Sequence, residues 1–91
     1  MGHPDFRVRS KVFASLGTPD RGWGTVKLTP EQQGVLIEAV PAAFRPAAGA
    51  WGQRGWTHVS LAAVDGTTLR SALAMAWRNT APKSLLTTRT R

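Results

Sequence analysis

The chain has 91 residues, no cysteine and a formal net charge of +7. This length supports one domain with a single modest core, which excludes a multidomain enzyme. The lack of cysteine excludes disulfide bonds, a thiolate nucleophile and a cysteine zinc site. Nine of the 12 basic residues are arginine, whose planar guanidinium suits phosphate oxygens, so the charge favours a polyanionic partner.

The positive charge has two other interpretations. It can keep a small protein soluble, or it can reflect codon usage that favours arginine, alanine and glycine. The sequence contains no apolar run near the roughly 20 residues that a membrane span needs. The N-terminal residues also lack the basic-then-apolar order of a signal peptide. We therefore expect a soluble, cytoplasmic protein with no membrane partner.

The first predicted elements are three short strands. Apolar side chains recur at even positions over residues 6–16 with basic side chains between them, which is the period of strands with one buried face. This pattern predicts a hairpin of strands 6–8 and 11–16, with a tight turn at Arg9-Ser10. A loop over 17–22, rich in Gly and Pro, and a third strand over 25–28 complete an antiparallel meander.

Phe13 departs from this pattern. In an unbroken alternation it lies on the opposite face from Val12 and Ala14. The sheet is then either covered on both sides or carries an aromatic side chain on its surface. The sequence leaves both alternatives open.

A helix start follows the third strand. Thr29 can cap the helix, Pro30 suits its first position, and Gln32 completes a capping box. The helix is predicted to run to about Val40, where Pro41 ends it. Its expected buried stripe consists of Val35, Leu36, Ala39 and Val40.

The segment after this helix is rich in Ala, Gly and Pro. We expect a short strand over 44–47 and a mobile turn through Gly49 and Gly52. Residues 56–61 alternate again and predict a further strand. Its register stays open, since either Trp56 or Thr57 can face the core.

Asp65 is the predicted N-cap of the last helix. This helix is amphipathic and ends at Ala81-Pro82. Its expected buried stripe consists of Leu69, Ala72, Leu73, Ala76 and Trp77. Residues 1–82 are thus predicted to form one domain, with 83–91 as a frayed basic tail.

Five sequence segments together resemble the MmcQ/YjbR family. They are Phe-Arg-Val at 6–8, Lys-Val-Phe-Ala at 11–14, Val-Lys-Leu at 26–28 before a helix, Trp-Thr-His-Val-Ser-Leu at 56–61, and Leu69 leading to Ala-Trp-Arg at 76–78. The resemblance covers nearly the whole chain. It implies a compact α+β domain with an antiparallel sheet and the order helix, three strands, helix, two strands, helix.

The family resemblance carries two further expectations. Family members usually begin with a helix before the His-Pro-Asp-Phe-Arg region, where this chain starts, so the first family helix is expected to be missing. A dimer partner or the C-terminal helix would then cover the exposed apolar area. The alternative is a start that is shortened or misassigned. The family is also described as DNA-binding through a double wing of paired hairpins, a label that rests on structural analogy.

Basic and aromatic residues near the hairpins are the candidate DNA contacts. The outward side of the first hairpin and the third strand can form a basic face for a phosphate backbone, and the two Gly-flanked loops can act as wing tips. The predicted contacts are Arg7, Arg9, Lys11, Arg21, Trp23, Lys27, Trp51 and Arg54. The alternatives are a merely solvated sheet face and a Trp23 folded into the core. Trp56 and Trp77 are expected to be core residues.

No catalytic pattern is legible in the sequence. His3 and His58 have no partner at metal-ligand spacing, and the five acidic residues are scattered. We therefore expect no cofactor, no metal and no enzymatic activity. Two functions remain: a DNA-binding domain of low sequence specificity, or a protein-interaction or dimerisation module with an incidental basic surface.

Overall fold

The computed structural model describes residues 5–17 and 22–81. In chain order the elements are β1 (Asp5–Val8), β2 (Lys11–Leu16), β3 (Trp23–Lys27), α1 (Pro30–Ala39), β4 (Phe44–Pro46), α2 (Gly49–Gln53), β5 (Trp56–Ser60) and α3 (Gly66–Thr80). The strands form one antiparallel sheet in the order β1-β2-β3-β5-β4. The predicted α+β class and the order of its main elements are confirmed.

One predicted element is different in the structure. The turn expected through Gly49 and Gly52 is the short helix α2, which the many glycines of this segment concealed. None of the helices in the described part of the chain is long and apolar enough to cross a membrane. The predicted tail over 83–91 lies outside the described residues.

A two-residue turn joins β1 and β2. Arg9 and Ser10 have φ angles of 50° and 71°, the pair of positive values found in type I′ hairpin turns, whose twist matches that of paired strands. Arg7 steadies this turn, because its Nη1 donates a hydrogen bond to the Ser10 carbonyl oxygen at 3.1 Å. The predicted turn is therefore confirmed, although neither position is the glycine or asparagine that usually adopts this conformation.

A β-bulge interrupts the alternation of β2. Phe6 lies opposite Ala14, but Arg7 lies opposite Val12, so Phe13 has no partner in β1. Phe13 and Ala14 both pack on the side of α3, while Val12 lines a groove on the other face of the sheet.

The unbroken alternation expected for β2 is consequently wrong. Neither alternative for Phe13 is needed, because the bulge turns its ring towards α3. The register also places Lys11 directly opposite Val8, on the helix side of the hairpin. Arg7 pairs with Val12 and therefore lies on the other face of the sheet.

The helices α1 and α3 cover one face of the sheet. The largest fully buried side chains there are Phe44, Leu28, Val26, Val59 and Thr57. From α3, Ala72 and Ala76 are buried, with Leu69 and Leu73 packed beside them, as predicted. Trp77 is only half-buried.

The predicted buried stripe of α1 is partly wrong. The capping box of Thr29 and Gln32 is present, and Leu36 is buried with Ile37 packed beside it. Val35, however, is 63% exposed, and Ala39 is exposed as well. Residues four apart lie on one side of a helix, so these two occupy the outer side together.

The register of β5 settles the alternative that the sequence left open. Thr57 and Val59 are buried under the helices, and Trp56, His58 and Ser60 are half-buried on the other face. The helix α2 lies over this second face at the start of β5. The sheet thus has one face covered by two long helices and one face that is largely open.

Two glycines allow α2 to approach the rest of the chain. A Cβ atom on Gly52 would overlap the carbonyl oxygen of Ala47, and one on Gly55 would overlap that of Leu28. Gly55 also has a φ of 107°, a backbone conformation that residues other than glycine rarely adopt. Gly52 and Gly55 therefore serve internal packing.

Gly55→Ala is expected to lower the free energy of unfolding by about 3 kcal/mol, because it combines backbone strain with a steric overlap. Urea unfolding followed by tryptophan fluorescence measures this change. Gly34→Ala is the matched control, since Gly34 lies in α1 with nothing within 4 Å of its added Cβ. That variant should gain about 0.5–1 kcal/mol. Equal stability of both variants would contradict the close packing at Gly55.

Candidate functional site

Charge is divided unequally between the two layers of the described structure. The sheet with its first turn and the C-cap of α2 carries six basic residues and one acidic residue, while α1 and α3 with the cap of α3 carry two basic and three acidic residues. The first group is Arg7, Arg9, Lys11, Lys27, Arg45, Arg54 and Asp5, and the second is Arg70, Arg78, Glu31, Glu38 and Asp65. The single acid of the first group is neutralised locally, because Asp5 Oδ2 lies 3.6 Å from Arg7 Nη2.

A groove of about 400 Å³ runs between α2 and the open face of the sheet. Trp51 of α2 forms one wall, and Trp56, His58, Thr25 and Val12 contribute the sheet side. The volume falls within the range of small-ligand sites, which are concave and mostly apolar. The open face therefore contains a shallow groove that is widely open to solvent.

Two indole rings lie side by side next to this groove, and each has a cation near its outer side. The rings of Trp51 and Trp56 meet edge to face, with centroids 6.0 Å apart and planes at 74°. Lys27 Nζ lies 5.7 Å from the centroid of Trp56, and the Arg54 guanidinium lies 6.0 Å from that of Trp51. These distances are within the reach of cation–π attraction. We call these four residues the Trp–cation row.

The Trp–cation row is positioned by one side chain of α1. Gln33 Nε2 lies 3.0–3.1 Å from three acceptors, the carbonyl oxygens of Gly52 and Trp56 and the Thr57 hydroxyl. The Thr57 hydroxyl in turn donates to the Gly55 carbonyl at 2.8 Å. The end of α2 and the start of β5 are thus tied to the same amide, which fixes the two indole rings relative to each other.

A second aromatic–cation pair lies near the other end of the open face. The Arg45 guanidinium is stacked 4.3 Å from the centroid of Trp23. Trp23 is the first residue of β3 and is half-buried, so it lies in the sheet rather than in the preceding loop. Sequence reasoning missed Arg45, since β4 and β3 are brought near each other only by their pairing with β5.

The predicted contact residues are thus only partly brought together. Lys27, Trp51 and Arg54 meet in the Trp–cation row, and Arg9 is exposed at the turn on the same end of the sheet. The Arg7 guanidinium forms an ion pair with Asp5 and donates a hydrogen bond to the Ser10 carbonyl oxygen. Lys11 lies opposite Val8 on the helix side, and Arg21 lies outside the described residues.

His58 contributes a polar group to the floor of the groove. Its Nδ1 lies 2.9 Å from Thr25 Oγ1. Burial, and then the nearby Arg45, lower the pKa of His58 below its ordinary value. The imidazole is therefore neutral at pH 7. Among the described residues no three His, Cys, Asp or Glu side chains form a group that could hold a metal ion.

Folding stability is expected to fall as the pH drops below 6.5, the ordinary pKa of histidine. The folded-state pKa of His58 is lowered, so the unfolded chain binds the proton first, and the stability present above that pH is lost towards the lower pKa. Urea midpoints measured from about pH 7.5 to 5 test this. His58→Gln should flatten the dependence and His3→Gln should keep it. The same slope in both variants would assign it to other groups.

Comparison with known proteins gives one result. Neither curated proteins nor solved structures gave a significant match to the chain. A family model described as YjbR matches residues 1–79, which include every described element up to the last turn of α3. The chain therefore belongs to the YjbR family, as its sequence segments indicated.

Proposed function

We propose that this protein binds nucleic acid through the open side of its sheet and does so without catalysing a reaction. The observation that carries the proposal is the division of charge, with six basic residues and one acidic residue on the sheet, the first turn and the end of α2. Of the six basic residues, Lys11 lies on the helix side, and the other five remain for the open side and its end. A surface of one sign attracts a polyanion and concentrates it locally.

The phosphate contacts are assigned to Arg9, Lys27 and Arg54. All three lie at the same end of the sheet: Arg9 in the turn after β1, Lys27 at the end of β3, and Arg54 at the end of α2 just before β5. Arg9 and Arg54 are exposed and Lys27 is half-buried. Their side chains can therefore reach a backbone that crosses this end of the sheet.

The position of the remaining charges supports the same choice of face. On the opposite side, Arg70 and Arg78 of α3 share their layer with Glu31, Glu38 and Asp65. Attraction for phosphate is weaker on that side, because the three carboxylates repel an anion. Contacts to phosphates alone position a protein but read little sequence, so the expected binding is salt-sensitive and weakly selective.

Arg9→Gln combined with Arg54→Gln is expected to weaken the binding of a labelled DNA oligonucleotide about tenfold or more at low salt. Each lost phosphate contact also reduces the slope of log affinity against log salt by about 0.9 on duplex DNA, so the double variant should lose close to 2. Fluorescence anisotropy at several salt concentrations measures both quantities.

The matched control is Arg70→Gln combined with Arg78→Gln, which removes the same charge from α3. It should leave the salt slope unchanged and the affinity nearly so. Equal losses in both double variants would mean that only net charge matters and would sink the assignment to the sheet. If wild-type protein binds no DNA at low salt but forms dimers in sedimentation, the interaction-module interpretation replaces the proposal.

A further inference from the structure

The groove beside α2 has a large, exposed aromatic side chain. Trp51 is 59% exposed, although its ring packs edge to face with Trp56 and the Arg54 guanidinium lies 6.0 Å from its centroid. Exposing this much indole has no packing benefit, since large apolar side chains are normally buried. The backbone next to Trp51 is nevertheless held in place, because Gln33 ties the Gly52 and Trp56 carbonyls together.

The chemistry of the groove suits an uncharged planar ring. Its walls are Trp51 and Trp56, with Val12 and Ala47 adding apolar surface and His58 a neutral polar group. None of the described residues that line it carries a carboxylate. A ring lying against Trp51 would rest between the indole and the sheet side of the groove, with the His58 imidazole near its polar edge.

The surroundings of the groove suit a polyanion. Lys27 and Arg54 stand over the same two indole rings that form its walls. An occupant is therefore expected to carry a neutral aromatic group and negative charge a short distance from it. A nucleotide within a strand has this combination, with its base in the groove and its phosphates at the two cations.

Pairing state decides whether a base can reach this site. In a duplex both faces of each base are covered by stacking, whereas an unpaired base can stack on an aromatic side chain. We infer that the groove between α2 and the sheet binds one unpaired base of a single-stranded nucleic acid, stacked on Trp51, with the flanking phosphates held by Lys27 and Arg54. This inference rests on the proposed nucleic-acid binding and adds a preference for single strands.

Three labelled probes of equal phosphate number test the base site separately from nucleic-acid binding in general. They are a thymidine oligonucleotide, a blunt duplex of the same total phosphate count, and a single strand of abasic residues. The wild-type protein is expected to bind the thymidine strand more tightly than either of the other two. Anisotropy titrations at one low salt concentration measure the three affinities.

Trp51→Ala is expected to weaken binding of the thymidine strand by about 5- to 150-fold, which corresponds to the contribution of one stacked base. It should leave the abasic strand, the duplex and the salt slope unchanged, because no charge is removed. Trp51→Phe keeps a ring face and should recover most of the affinity. Thermal unfolding of both variants checks that α2 is retained.

The outcomes are distinguishable. Binding of all three probes with equal affinity, with no effect of Trp51→Ala, overturns the base site and leaves phosphate binding standing. Failure to bind any probe at low salt overturns the proposed function and the inference together. Dimerisation that is lost in Trp51→Ala, without any single-strand preference, identifies the groove as a contact between two copies and also overturns the inference.

Discussion

The hydrogen bonds of Gln33 organise the open side of this protein. One amide nitrogen of α1 lies near the Gly52 and Trp56 carbonyls and the Thr57 hydroxyl, so a helix on the covered side of the sheet determines where α2 lies on the other. Polar groups buried between such elements are expensive to leave unpaired, which makes this arrangement specific. The approach is possible only because Gly52 and Gly55 carry no side chain at their contacts with Ala47 and Leu28.

The same region contains the Trp–cation row. Trp51 and Trp56 flank the segment that Gln33 ties down, and Lys27 and Arg54 stand over their rings. A binding surface with preset side-chain positions loses little conformational entropy when a ligand arrives. The glycine-rich stretch between the two tryptophans thus provides rigidity, since its glycines are buried against neighbouring backbone.

The β-bulge in β2 changes which side chains of this strand face the helices and which face the groove. Phe13 and Ala14 pack towards α3, while Val12 and Ser15 line the groove. A regular strand would have placed Val12 beside Ala14 under the helix. The bulge therefore gives the covered face an additional aromatic side chain and the groove an aliphatic one.

The sequence by itself determined the class of the fold, the order of its main elements, the hairpin turn at Arg9-Ser10 and the helix start at Thr29. These depend on the alternation of apolar residues and on capping within four residues, which are local properties. The YjbR family could also be identified from short segments in a fixed order. The positive charge favours a polyanionic partner, which stays a prediction.

Only the tertiary structure decided which residues of the candidate site meet. The position of Lys11 depends on an unpaired residue in β2, the stacking of Arg45 on Trp23 depends on strand order, and the pairing of Trp51 with Trp56 depends on contacts from α1. The buried side of β5 could not be chosen either, because a shift of one residue exchanges the two faces of a strand. Each face of β5 offers one large apolar side chain, Trp56 on one and Val59 on the other. Each of these features is set by pairing or packing between segments, most of them distant in sequence, which the pattern within one segment does not encode.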